Sequence, residues 1–139
     1  MKPHKLTTIA TATILALAVA AQADDANDAK LPPPATKSGV TYVTDIKPIF
    51  DASCTKCHSG NRAKARLHLD SLEGALKGSK DGKVITPGDS AKSYMVKSIA
   101  HVSDDQDDWM PPVKNKAGIK PLTTDQIGLI RAWIDQGAK

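Results

Sequence analysis

Cys54-Thr55-Lys56-Cys57-His58 is the stretch on which the reading of this chain turns. It holds both cysteines of the 139-residue sequence, and a histidine follows the second one directly. Two sulfurs and an imidazole on one short turn can grip the edge of a single group. Zinc normally takes four protein ligands, and these three are too crowded for ordinary finger geometry. A thiol oxidoreductase would place C-x-x-C at a helix N-terminus within a strand–helix–strand unit; here the motif follows a helical pattern and no such unit surrounds it. A disulfide across so short a loop would stabilise little through chain entropy.

The C-x-x-C-H order matches the pattern of covalent haem attachment. In that chemistry the two thiols add across the two vinyl groups, and the adjacent histidine presents its imidazole to the iron as proximal ligand. The expected cofactor is therefore one haem c, bound through Cys54 and Cys57, with His58 on the metal. The sixth position is filled from elsewhere in the chain or stays open. Met110 is the first choice, because it sits in a loop stiffened by Pro111-Pro112 and precedes the last helix, free to approach from the side opposite His58. Its thioether would favour ferrous iron and raise the potential. Met95 lies at helical spacing with Ile99 and reads as core filler. His68 falls in a Leu-x-Leu segment. His101 ends a helix, where its charge suits the dipole, and it is the second-choice ligand.

The N-terminus reads as an export signal. Lys2 and Lys5 form a basic n-region, residues 8–20 an apolar h-region, and Ala21-Gln22-Ala23 a small-x-small cleavage pattern. The expected cleavage point follows Ala23. The apolar run falls short of the roughly 20 residues needed to span a bilayer, so no stable membrane span is expected after cleavage. Removing Lys2 and Lys5 lowers the formal net charge from +4 to +2, which makes no case for nucleic-acid binding. What remains is one small domain with a tail. A chain with one Phe, two Tyr and two Trp has little to build a core from, and small domains usually need a staple. A covalently held haem would supply that body.

Residues 24–41 include Pro32-Pro33-Pro34, favour extended polyproline geometry, and read as a flexible linker that buries little. From residue 42 the pattern is helical with irregular connections. Thr44 or Asp45 can cap a first helix with Ile46, Ile49 and Phe50 on one face. Asp70 and Glu73 form a capping-box pair for a short helix ending near Gly78. Asp81-Gly82 and Pro87-Gly88 mark turns around Val84-Ile85. Asp89 or Ser90 caps a third helix to about Ala100, burying Tyr94, Met95 and Ile99. Thr123 and Gln126 cap the last, with Leu122 stapling on Ile127, an apolar face of Ile127, Ile130, Trp133 and Ile134, and Gly137 closing the end. Arg62 and Arg66 are candidates to pair with haem propionates. The acidic run 104–108 lacks the alternation, glycine and terminal Glu of a calcium loop and reads as solvated.

Taken together, residues 42–139 resemble the class I c-type cytochromes, and most of all the planctomycete-type cytochrome c domain. The likeness is carried by Ile49 to His58, Leu67-His68-Leu69-Asp70, Ala75-Leu76-Lys77-Gly78, Ile85-Thr86-Pro87-Gly88-Asp89-Ser90, Met110-Pro111-Pro112, and the segment from Leu122-Thr123 through Trp133 to Ala138. The resemblance implies an all-α, class I cytochrome c-like fold around one haem, His58 proximal and Met110 distal, with first and last helices crossing near Phe50 and Trp133. The function expected is that of a soluble, periplasmic or otherwise exported monohaem electron carrier, not an enzyme, exchanging electrons with a donor and an acceptor protein. Lys56 and Lys64 would help guide docking. The alternative is a haem enzyme subunit or gas sensor with an open or displaceable sixth position.

Overall fold

Thr41 starts the first helical segment, three residues before the expected cap. Its extended backbone and its hydroxyl, which accepts from the Thr44 N–H, make it the N-cap. Asp45 completes the cap by accepting the Thr41 N–H at 2.9 Å, so it sits inside the helix rather than at its start. The structure, a computed structural model, describes residues 28–139; the expected export signal and its cleavage point lie outside them. A π-helical turn, Tyr42–Ile46, runs into α1, Lys47–Ser53. The Lys47 N–H reaches back to the Tyr42 carbonyl, and Pro48 falls in the first turn of α1, a position that tolerates proline.

Three further helices follow: α2, Leu72–Lys77; α3, Tyr94–Ile99; and α4, Thr124–Asp135. Among the described residues there is no sheet, only an isolated bridge between Ser79 and Gly82. The described part is thus helical with irregular connections. Ser71, not Asp70, caps α2, with its hydroxyl accepting the Gly74 N–H at 3.1 Å. α3 starts at the Ser93 cap rather than at Asp89 or Ser90, because Ser93 is turned inward: its hydroxyl takes the Thr86 N–H and donates to the Asp89 carbonyl. α4 follows its sequence pattern closely. Thr123 and Gln126 make both bonds of the capping box, and Leu122 and Ile127 are buried in the same core.

That core is centred on three rings. Trp133 is fully buried, and its ring centroid lies 5.9 Å from Tyr42 and 6.4 Å from Phe50, the latter nearly perpendicular. Edge-to-face pairs of this kind add to the area they bury. They join the first helical segment to the last at the expected contact of Phe50 with Trp133. The C-terminus closes the joint: the Lys139 carbonyl accepts from the Tyr42 N–H and from the Trp133 indole N–H.

The segment expected to be a loose linker is tied to α4 at several of its described residues. Leu31 and Val40 are buried. The Ala35 N–H donates to the Gly128 carbonyl at 2.8 Å, Arg131 donates to the Pro32 carbonyl, and Gln136 to the Lys37 carbonyl. Gly128 permits this approach, since a Cβ there would stand 2.8 Å from the Pro33 carbonyl oxygen. Lys37 also pairs with Asp45, tying the segment to the first helical turn. Polyproline geometry leaves its carbonyls free of internal bonds, and α4 supplies the donors.

The Pro87-Gly88-Asp89-Ser90 turn docks on the same helix. The Gly88 N–H donates to the Ile134 carbonyl at 2.7 Å, and Ser90 gives both its N–H and its hydroxyl to the Asp135 carboxylate. α4 therefore anchors both the strap over residues 31–40 and this turn, and Arg131 bonds to each of them. No helix among the described residues is long and apolar enough to cross a membrane.

Candidate functional site

The cysteine motif continues directly off the end of α1. The Cys54 N–H donates to the Phe50 carbonyl at 2.7 Å, and both Cys57 and His58 donate back to the Cys54 carbonyl. This coil turns Cys54, Cys57 and His58 toward one cavity of about 1150 Å³. Pockets that enclose a drug-sized ligand run to roughly 300–1,000 Å³, so this one has room for a larger group. Phe50, Leu67, Leu69, Val84 and Leu122 give it apolar walls.

His58 is half-buried and oriented from behind. Its Nδ1 lies 3.2 Å from the Lys64 carbonyl. A carbonyl only accepts, so the proton belongs on Nδ1 and Nε2 keeps its lone pair. Burial pushes the His58 pKa below its usual value, against the backbone bonds that raise it. The lowered pKa favours the neutral ring, the form in which an imidazole binds a metal. Both thiols are free. Burial, with Cys57 adding to it, pushes the Cys54 thiol up to about 12, so it is a protonated, inert thiol by itself.

Met110 reaches the same cavity from the other end of the chain. Its N–H donates to the Ser98 carbonyl on α3 at 3.0 Å. Downstream, Asn115 braces the loop by donating to the Pro112 and Ile119 carbonyls and accepting the Ile119 N–H. The cavity thus brings together Cys54, Cys57, His58 and Met110. The donor set fits a covalently held haem: two free thiols, a neutral imidazole and a thioether around an apolar space.

Other expected residues fall elsewhere. His68 and His101 do not line the cavity, and neither do Arg62 and Arg66. Arg62 instead shares a shallower basic depression with Lys56 and Lys64 beside the motif. No group of three or more acidic, histidine or cysteine side chains suited to a metal ion occurs among the described residues. In the acidic run, Asp105 caps a short 3-10 turn, Gln106–Asp108.

One wall of the site was not read as such from sequence. Tyr94, Met95, Ser98 and Ile99 all face the cavity from one side of α3. Met95 is buried, as expected of core, yet the core it belongs to is the cavity wall. Tyr94 corrects the expectation of burial: it is 45% exposed, at the cavity's edge. The Asp108 carboxylate bonded to its hydroxyl pushes its pKa up to about 12. The helical spacing of 94, 95, 98 and 99 was the available signal; periodicity marks an inward face without saying whether protein or a bound group covers it.

Residues 54–114 match the family model described as planctomycete cytochrome C. No curated protein and no solved structure matches the chain. The match opens on Cys54 and runs past Met110, so all four of the converging residues lie inside it. Over residues 54–114, this chain is similar to the planctomycete cytochrome c family.

Proposed function

We propose that this chain is an exported, periplasmic cytochrome c that carries single electrons between a donor and an acceptor protein. One haem would be attached through Cys54 and Cys57, with His58 and Met110 as its axial ligands. The observation that supports the reading is the convergence of these four side chains on one apolar cavity. When bound, the haem supplies reversible one-electron chemistry. The chain's part is to hold and tune. The Lys64 carbonyl fixes the His58 ring and its tautomer. The Met110 thioether, a soft and weak donor, biases the site toward the ferrous state. Apolar walls on Phe50, Leu69 and Val84 keep water away from the charge that changes.

The competing reading, an enzyme subunit or gas sensor, needs an open sixth position. Carbon monoxide separates the two. With Met110 in place, ferrous holoprotein at neutral pH is expected to resist carbon monoxide, and ferric holoprotein to display a methionine–iron charge-transfer band. Ready carbon monoxide binding by the wild type, with no such band, would give the site to the competing reading.

A further inference from the structure

Among the described residues, one buried side-chain polar atom has no hydrogen-bond partner, His101 Nε2. A dry, unpaired nitrogen is costly to keep. The backbone at His101 is also left-handed, with φ +56°, a conformation that histidine adopts more readily than most residues but that still carries strain. What the ring gains is a flat contact. It lies parallel to the indole of Trp109, with centroids 4.9 Å apart and an interplanar angle of 10°.

Trp109 is the residue before Met110. Its indole N–H donates to the Ser103 carbonyl at 3.1 Å, and the next N–H, that of Met110, donates to the Ser98 carbonyl at 3.0 Å. Residues 98–103 therefore hold residues 109–110 at three points: two hydrogen bonds and one ring stack. Beyond this clamp, Met110 enters the cavity while His101 stays outside it.

We infer that His101 is a positioning residue for Met110, acting through its stack on Trp109 to hold the loop where the thioether can reach the metal. The inference rests on the assignment of Met110 as axial ligand. It gives the unpaired nitrogen an explanation: the position uses the ring's face, and the nitrogen is incidental to it.

The test compares His101→Asn with His101→Phe in the holoprotein. Asn tolerates the left-handed backbone but has no ring; Phe restores the flat face and removes the orphan nitrogen. In His101→Asn, hydrogen exchange across residues 104–112 is expected to speed up by about two- to tenfold, the factor that loss of an aromatic pair corresponds to. Carbon monoxide binding to the ferrous form should rise by a similar factor. His101→Phe keeps the ring face but meets more strain in the left-handed backbone than histidine does, so it should fall between the wild type and His101→Asn in both. Trp109→Leu removes both the stack and the indole bond to Ser103 and should loosen the loop at least as much as His101→Asn, so unchanged behaviour in it decides against the clamp even if His101→Asn fails to fold. Unchanged exchange and carbon monoxide binding in His101→Asn or Trp109→Leu would overturn the inference, and so would a Phe variant as loose as the Asn variant. Hydrogen exchange reads the clamp whatever the ligand is. If Met110→Ala left the charge-transfer band intact, the ligand assignment would fall, and the exchange data would still decide whether the stack holds the loop.

Discussion

Trp133→Ala is expected to lower the unfolding free energy of the holoprotein by about 3–5 kcal/mol, the usual cost of deleting a buried Trp or Phe. That is a large share of the roughly 5–15 kcal/mol that holds a typical domain together. The site gives reason to expect the upper part of the range. Trp133 is fully buried, contacts both Tyr42 and Phe50, and donates to the last carbonyl of the chain. Removing it hollows the joint between the first and last helical segments. Phe50 lines the cavity from this joint, and its carbonyl takes the Cys54 N–H, so the damage would reach the cysteine motif as well. Denaturant unfolding of wild type and variant measures the loss. A loss under about 1 kcal/mol, typical of ordinary surface changes, would mean that the three rings are not the centre of the core.

Met110→Ala is expected to produce the largest change in redox behaviour. Losing the thioether removes the donor that favours ferrous iron. For a one-electron couple each tenfold change in the oxidised-to-reduced balance is about 59 mV. A fall of two such steps, on the order of 100 mV, is expected in a voltammetric titration. The charge-transfer band should vanish, and ferrous protein should bind carbon monoxide readily. Met95→Ala is the control, because Met95 also faces the cavity. It should keep the band and the potential while losing about 2–5 kcal/mol of stability as a truncated core methionine. The reverse pattern would move the ligand from Met110 to Met95.

The parts of this protein legible in sequence were those written locally. The Thr123 and Gln126 capping box and the 3.6-residue apolar face of α4 lie within a few turns of each other, and both appear as expected. The cysteine motif is legible for the same reason: its three donors occupy one turn. Starts that rest on competition between neighbouring caps were harder to place. Thr41 takes over from Thr44 because Asp45 bonds its N–H, and Ser71 displaces Asp70. The packed strap could not be read at all. Leu31 and Val40 are too few to form a pattern, and the residues that bond Pro32, Ala35 and Lys37, namely Arg131, Gly128 and Gln136, lie about a hundred residues away. The clamp on Met110 is likewise non-local. His101 was considered as a ligand because it has the right donor, whereas its place against Trp109, outside the cavity, follows from tertiary geometry alone.

If one haem is held covalently in this cavity through Cys54 and Cys57, the chain keeps it even when unfolded. Intact-mass analysis under denaturing conditions, on protein produced with a haem-attachment system, tests it most directly. A mass increase of one haem that survives unfolding is expected, with a pyridine haemochrome spectrum of a haem whose two vinyl groups are saturated, and loss of the two-bond product in Cys54→Ala and Cys57→Ala. A chain that runs at its apoprotein mass, or releases its haem on unfolding, would contradict it.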